Sequence, residues 1–403
     1  MYNNRACCNQ LQHALIFRGD YMQTWTKTLL RVVSYVLTAA IAAATVLYCT
    51  QSSGKLRQLQ LLLENNFIGD ADPAAMEDAA AKAMVDSLGD RWSYYIPAAD
   101  YETYEEGKKN SYVGVGITIR TGELENGFEI LQVQPGGAAH TAGILPGDIL
   151  TEVEGQEVYP LGMDGTRELI RGEEGTNVVV SVLREGESLT FTLTRSTVRI
   201  EVVNAQLLPE NIGLITIANF NDNCAEETIK AIEQMKEQGA QSLIFDVRNN
   251  PGGYLTELTK LLDYLLPEGV IFQSEDYTGE KLTEKSDAEC LEMPMAVLIN
   301  GESYSAAEFF AAALEEYEWA VTVGSQTCGK GYFQTTYRLI DGSAVGLSIG
   351  KYYTPKGVSL AETGGLTPQI AVDVDEETAA KIYLKTIEPE NDPQLQAAVE
   401  ALQ

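Results

Sequence analysis

The chain has 403 residues, is 45% hydrophobic, contains 35 glycines and carries a formal net charge of -30. This length and apolar fraction exclude a disordered polymer and leave room for two or three domains around a large core. Beyond Thr50 there are 24 basic and 57 acidic residues, a field that repels phosphate backbones and excludes nucleic acid as an expected partner.

Residues 1–28 read as a cytoplasmic tail, with Arg5, Arg18 and Lys27 against the single acid Asp20. Val32 to Cys49 is uncharged and, with Leu29 and Leu30, approaches the length of one membrane span. The basic bias before it predicts a single-pass anchor or signal segment over residues 29–50. It also places the remainder on the extracytoplasmic side of the cell membrane. A cleaved signal peptide is the rival reading, because Ala39 to Ala44 supplies the small residues that cleavage needs. The uncleaved anchor is preferred because apolar residues continue past the alanines. A lipoprotein signal ending at Cys49 is disfavoured by the bulky Tyr48. On the exported side, Cys224, Cys290 and Cys328 are odd in number and lack zinc-site spacing, so neither a full disulfide framework nor a metal is expected.

Residues 56–108 read as a helical region. Leu59, Leu61, Leu62 and Leu63 open an apolar stripe, Asp72-Pro73 marks a helix start and Gly89 a stop. Leu88 to Ile96 is an aromatic turn, read as packing rather than chemistry. Residues 111–196 change to short alternating apolar runs with frequent glycines, the pattern of a small β-rich domain. Gly136-Gly-Ala-Ala-His-Thr-Ala-Gly-Ile-Leu-Pro-Gly-Asp148 lies within it. This region resembles a PDZ domain. The resemblance implies that the loop Gly114, Val115, Gly116 and Ile117 offers backbone amides to a terminal carboxylate beside a strand edge that pairs with the peptide. His140 is expected to face solvent or to pack locally.

Residues 199–388 read as an α/β core. Ile212–Ile217 is a strand, Glu226 to Gln238 a helix, and Ser242–Arg248 a buried strand. That strand runs into Asn249-Asn-Pro-Gly-Gly253 and the helix from Leu255 to Leu266. Met295 to Asn300 repeats the layout and leads to a helix from about Ser305 to Leu314. Ser305 therefore sits at a strand-to-helix junction, where the first helical amides are unpaired. Asp373 to Glu377 lacks calcium-loop spacing and reads as a cap for the helix that follows. Residues 389–403 form a packed or interface helix.

The chain holds two histidines, His13 and His140, and His13 precedes the apolar span. A serine hydroxyl attacks an amide carbonyl only if its proton is removed, so lysine is the base that remains. Lys330 lies 25 residues after Ser305, in Gly329-Lys-Gly-Tyr-Phe-Gln334. An amine acts as a base only when neutral, which near pH 7 asks a lysine pKa to fall by about three, worth roughly 4 kcal/mol and available from burial. Tyr332, Phe333, Phe309 and Phe310 could line such a pocket, and Gln334 could hold the amine through its amide oxygen. Taken singly, Ser305 reads as a helix cap and Lys330 as a surface residue. Cys328 as an alternative nucleophile ranks low.

The joint pattern resembles the C-terminal processing peptidases, or tail-specific proteases, which are PDZ-containing serine endopeptidases. It rests on Leu88-Gly-Asp-Arg-Trp-Ser93, the PDZ run, Phe245-Asp-Val-Arg-Asn-Asn-Pro-Gly-Gly253, Ser303-Tyr-Ser-Ala-Ala-Glu308, Gly329 to Gln334, Tyr353-Thr-Pro-Lys-Gly-Val-Ser359 and Gly365-Leu-Thr-Pro-Gln-Ile370. These cover roughly residues 57 to 402. The resemblance implies Ser305 as nucleophile, Lys330 as general base and Gln334 as the residue orienting it. The Ala306 amide and one from Gly252 or Gly253, with Gly252 slightly preferred, would form the oxyanion hole. It implies a multidomain α/β fold: a helical arm, a PDZ domain and a crotonase- or Clp-protease-like core behind one N-terminal anchor. No cofactor is implied. The expected partners are protein or peptide substrates with apolar C-terminal tails, and homodimer formation is left open. Gln369 stands where an aspartate is usual, and Glu302-Ser303-Tyr304 replaces a smaller run, so Tyr304 is expected to alter the pocket for the residue before the scissile bond. The reading from a different class is a catalytically silent PDZ scaffold that binds protein C-termini.

Overall fold

The computed structural model describes residues 31–43, 54–121 and 126–403. Residues up to Ser87 form one compact unit, and those from Leu88 onward form a second. In the first unit, α1 (31–43) is exposed along its described length. It is followed by α2 (Lys55–Asn66) and α3 (Pro73–Asp86). The tail and the two ends of the expected span, residues 29–30 and 44–50, lie outside the described residues, as do His13, Cys7, Cys8 and Cys49. Among the described residues no helix is long and apolar enough to cross a membrane. Helix α3 starts where the Asp-Pro pair predicts. The Asp72 carboxylate accepts the Ala74 and Ala75 N–H groups at 2.9 and 3.4 Å, and Pro73 has no N–H to satisfy.

The second unit opens with β1 (Tyr94–Ile96) and α4 (Tyr101–Lys109). The β-rich domain follows as β2 (Ser111–Gly114), β3 (Ile117–Thr121), β4 (Phe128–Val133), α5 (Ala138–Ala142), β5 (Ile149–Val153), β6 (Gln156–Glu157), α6 (Val158–Ile170), β7 (Asn177–Arg184), β8 (Glu187–Thr194) and β9 (Ser196–Arg199). Its sheet has the order β3-β4-β5-β7-β8, with β6 on β5, so β3 is an edge strand. The alternating residues that suggested strands point inward, and Val178, Val180 and Val182 of β7 are all fully buried. β2 and β9 pair antiparallel where the chain enters and leaves the domain.

The core continues as β10 (Val203–Leu207), β11 (Ile212–Ile217), α7 (Cys224–Glu237), β12 (Ser242–Asp246), α8 (Leu255–Leu265), β13 (Gly269–Asp276), β14 (Lys281–Ser286), β15 (Met295–Ile299) and α9 (Ala306–Glu316). It ends with β16 (Ala320–Gly324), β17 (Tyr332–Arg338), β18 (Ala344–Tyr353), α10 (Leu360–Thr363), β19 (Ile370–Ala371), α11 (Glu376–Tyr383) and α12 (Pro393–Ala401). One sheet has the order β10-β11-β12-β15-β16-β19, parallel except for β10. Its central strands β12 and β15 are buried on both faces, which is why they read as unbroken apolar runs. Phe245 faces one cluster with Phe220 and Phe310, while Ile244 faces another with Leu298 and Leu395 of α12. A second, antiparallel sheet has the order β1-β18-β13-β14, with β17 also on β18.

One buried ionic cluster pins α12 to the end of β12. Arg248 donates to Asp246 at 2.6 Å and to Asp392 at 2.8 Å, with all three side chains largely out of solvent. Gln394 accepts a further bond at 3.0 Å. Asp392 also caps α12 through the Gln394 and Leu395 N–H groups. Removing one member strands a buried charge, and such losses cost about 3–5 kcal/mol. Asp392→Ala is therefore expected to lower the unfolding free energy by about 3 kcal/mol or more in urea titrations. A change below about 1 kcal/mol would show that the cluster does not hold the C-terminal helix.

Candidate active site

Ligand sites in parallel sheets gather at the carboxyl ends of the strands. Here β12 ends in the turn 247–253 and the neighbouring β15 in the turn 300–305. Ser305 immediately precedes α9 with φ 59° and ψ -125°. That backbone conformation is strained for a residue with a side chain, costing about 1–3 kcal/mol, and persists only where surroundings enforce it. Part of the enforcement comes from Gly252, at φ +85°. A Cβ added there would lie 2.7 Å from the Ser305 Cβ and 2.8 Å from the Ala306 nitrogen, so no other residue fits. Gly253 presses equally closely on Phe220, where an added Cβ would meet the carbonyl carbon at 2.2 Å.

The amides of this junction are not equivalent. The Gly252 N–H donates to Asn250 Oδ1 at 2.8 Å. A bridge to Phe220 uses the Gly252 carbonyl and the Tyr254 N–H, and neither polar group of Gly253. The Ala306 N–H opens α9, where no residue four positions back can accept it within the helix. The Gly252 N–H, slightly preferred as an oxyanion donor, is thus already committed, whereas that of Gly253 donates to nothing among the described residues.

A single carboxylate joins this turn to the loop before β17. Glu308 is fully buried. Its Oε2 accepts the Ser305 N–H at 3.2 Å and the Lys330 N–H at 2.9 Å, while Oε1 accepts the Gly329 N–H and the Thr327 hydroxyl, both at 2.6 Å. Burial raises its pKa above the usual carboxylate value, and these four bonds oppose the rise.

Lys330 Nζ has no hydrogen-bond acceptor or ion-pair partner among the described residues. It sits instead over two rings, 4.8 Å from the Trp92 centroid and 5.8 Å from that of Tyr304. Trp92 is held by its own turn: Asp90 accepts the Trp92 N–H and the Ser93 hydroxyl, and Arg91 stacks on the indole with its guanidinium carbon 4.2 Å from the centroid. Burial, and then the positive charge of Lys108, lower the Lys330 pKa to about 8, against the pull of Asp90, Cys328 and Glu308. Tyr352 completes the arrangement. Its hydroxyl donates to the Lys330 carbonyl, and the residue lines the same cavity as Ser305.

Ser305, Ala306, Gly253, Lys330 and Gln334 all line one cavity of about 660 Å³. Its inner wall is apolar, with Leu255, Leu258, Phe272, Phe309 and Phe333, and Glu105, Lys108 and Asp276 carry charge elsewhere on its lining. A serine hydroxyl, an amine of lowered pKa and two unspent amides around one cavity are groups of the kinds that acyl transfer to and from a serine uses.

Comparison with known proteins shows the family. Peptidase family S41 matches residues 211–372 and the PDZ domain family residues 129–184. The carboxy-terminal processing protease CtpA of Bacillus subtilis (strain 168) is 31% identical over 359 residues, 84% of this chain and 76% of that protein. The chain belongs to the carboxy-terminal processing peptidases, serine-type enzymes of family S41. A "Probable CtpA-like serine protease" of Staphylococcus haemolyticus (strain JCSC1435) is 30% identical, over 85% of this chain and 71% of that protein. Among solved structures, the photosystem II D1 C-terminal processing protease superposes with a TM-score of 0.45 at 27% identity, covering 79% of this chain and 86% of that one.

Several residues of this processing peptidase stand differently from what its sequence suggests. Gln334 lines the cavity, but no hydrogen bond joins it to Lys330. Its Nε2 donates to the Tyr332 carbonyl and to Ser348 Oγ, each at 3.1 Å. Phe310 lies in the core against Phe220 and Phe245, whereas Phe309 and Phe333 line the cavity and Tyr332 does not. Tyr304 is not part of the cavity wall and faces the lysine. The turn at Trp92, read as packing, lies against Lys330. Cys328 accepts a bond from Arg91 at 3.3 Å. His140, by contrast, stands as expected, exposed and with Nδ1 accepting the nearby Gly136 N–H. Among the described residues no cluster of three or more His, Cys, Asp or Glu is arranged to hold a metal. Tyr352, Trp92 and Glu308 were missed as site residues. Only Glu308 carried a local signal, since a Glu three residues after a helix-capping serine commonly reaches back to it.

Glu308→Ala orphans one buried hydroxyl and three N–H groups. It is expected to lower stability by at least about 2 kcal/mol and to abolish peptide cleavage, read by thermal unfolding and by product formation. Full activity with unchanged stability would mean that the carboxylate does not organise the site.

Proposed function

We propose that this peptidase is anchored to the membrane by residues 29–50, with its catalytic unit on the extracytoplasmic side, and that it cleaves proteins captured by apolar C-terminal tails. Ser305 is the nucleophile and Lys330 its general base. The observation that carries this reading is the half-buried Lys330 amine, unpaired, stacked on aromatic rings and lining one cavity with a strained serine. Ser305 gives its proton to the neutral lysine as Oγ attacks the scissile carbonyl. The lysine then passes that proton to the leaving amine, and a water repeats the sequence to release the acyl group. In the resting arrangement no hydrogen bond joins Ser305 Oγ to Lys330 Nζ, so bound substrate must draw the two together, as catalytic hydrogen bonds often tighten only in the complex. Gln334 then orients the lysine through Oε1, the amide atom not spent on Tyr332 and Ser348.

The tetrahedral oxyanion is received by the Ala306 and Gly253 amides. The apolar inner wall suits an apolar residue before the cut. Tail capture falls to the PDZ domain. The carbonyls of Val115 and Gly116 accept bonds from Ala139 and Gln134, while their N–H groups donate to nothing among the described residues and remain open to a carboxylate. The edge strand β3 is free to take the tail as an added strand. Support for the anchor is the uncharged run from Val32 to Cys49 and the basic residues before it. A silent scaffold reading is disfavoured by the depressed lysine pKa, which mere peptide binding does not need.

Ser305→Ala and Lys330→Ala are expected to abolish cleavage of a peptide with an apolar C-terminus while leaving its binding intact. Because the neutral amine is the active form and its pKa lies at about 8, kcat/KM should climb about tenfold per pH unit below that value and level off above it. Either variant cleaving like wild type, or a profile flat from pH 6 to 9, would sink the mechanism. Deleting residues 29–50 is expected to move the protein from the membrane pellet to the soluble fraction, and retention in the pellet would refute the anchor.

A further inference from the structure

The two proposed oxyanion donors come from different strands, so their spacing depends on what ties the turn 247–253 to the turn 300–305. Asn300 is the centre of that tie. Its Oδ1 accepts the Asn249 N–H at 3.0 Å and the Glu302 N–H at 3.1 Å. Asn249 lies four residues before Gly253, and Glu302 four residues before Ala306. One oxygen therefore holds both turns at matching positions. The Asn300 Nδ2 donates in return to Asn249 Oδ1 at 3.0 Å, and Asn249 is itself in the left-handed region at φ 58°.

The backbone of Asn300 continues the tie. Its N–H donates to Ser303 Oγ at 3.0 Å, and the fully buried Ser303 hydroxyl donates onward to the Val247 carbonyl at 2.7 Å. The Asn300 carbonyl accepts the Ser303 N–H at 2.9 Å, and the Asn250 carbonyl accepts the Tyr304 N–H at 3.2 Å. The tolerance is small, because Gly252 already sits within contact distance of Ser305 and Ala306. No part of Asn300 lines the cavity, so it touches neither substrate nor nucleophile.

We infer that Asn300 is a positioning residue for the transition state, its Oδ1 fixing the spacing of the two amides that receive the oxyanion. This rests on the serine–lysine reading above. Oxyanion donors act by being held in place before charge develops, and removing one donor costs about 10²–10³ in rate. A displacement of about 1 Å can cost about 10²-fold. Losing the tie should therefore reduce kcat and spare KM, since the ground-state carbonyl gains little from the hole.

The test is a series at position 300 in the full chain, assayed with a peptide ending in apolar residues and with a peptide aldehyde. The aldehyde forms a hemiacetal with the serine and so needs the same hole. Asn300→Asp keeps the acceptor and is expected to stay within about threefold of wild type, with Asn249 turning its amide to donate. Asn300→Gln keeps the amide but moves it by one methylene. It should lose about 30-fold or more in kcat with KM within about twofold, and weaken aldehyde inhibition in proportion. Asn300→Ala should lose at least as much. Placing each change in a Ser305→Ala background checks that the uncut peptide still binds as before.

A Gln variant with wild-type kcat overturns the inference. So does a kcat loss in Asn300→Gln that is matched by lost peptide binding or by unfolding and is equally present in Asn300→Asp. Wild type and Ser305→Ala measured alongside separate the two levels. If Ser305→Ala cleaves like wild type, the serine–lysine reading falls. If cleavage depends on Ser305 but not on residue 300, only the inference falls.

Discussion

The Glu308 carboxylate sits where the Ser305 turn meets the loop that carries Lys330, and it accepts four hydrogen bonds from the two of them. A buried carboxylate is costly unless its oxygens are fully used, and here that cost is offset only while both segments stay in place. The strained Ser305 backbone, the course of the lysine loop and the entry of α9 are thereby coupled. A second tie, through Asn300 and Ser303, fixes the same turn to the glycine-rich turn after β12. The site is held from both sides by polar groups that the hydrophobic core has already desolvated.

Within that frame the lysine is treated in the opposite way. Lys330 Nζ rests on rings, and no carboxylate forms an ion pair with it, although Asp90 and Glu308 act on it from farther off. Ring faces attract a cation weakly, by about 0.5–2 kcal/mol, and so offset only part of the desolvation. Lys108, which lines the same cavity, adds repulsion. The amine is left as a base of moderate strength, as a histidine would be in other serine hydrolases. The Trp92 turn also reaches Gln334 through bonded neighbours: Ser93 accepts the Ser348 N–H, and Ser348 Oγ accepts from Gln334.

How much of this is legible in the sequence follows from which interactions are local. Strands β12 and β15 are buried on both faces, so Leu243 to Phe245 and Met295 to Ile299 stand out as continuous apolar runs, and their turns follow directly. The run from Gly136 to Asp148 carries the PDZ resemblance. Helix starts at Asp72, Asp375 and Asp392 are readable because the capping carboxylate lies within three residues of its partners. Ser305 and Lys330 can be paired from missing histidines and from the family pattern. The rest depends on contacts that cross the chain. Trp92 meets Lys330 from a turn more than two hundred residues upstream. Tyr352 meets the Lys330 carbonyl only because β18 pairs with β17. That the Gly252 N–H is committed while that of Gly253 is not depends on the Asn250 side chain, whose direction no linear pattern records.

The central claim is that a neutral lysine, set up by burial and aromatic contact, activates the serine. Its most direct test is an NMR titration of Lys330 in the Ser305→Ala protein, with lysines carrying ¹³C at Cε and the Lys330 signal assigned by its loss in Lys330→Arg. The account predicts a midpoint at about 8. A Lys330 signal that titrates near 10.4, the value of an exposed lysine, would contradict it.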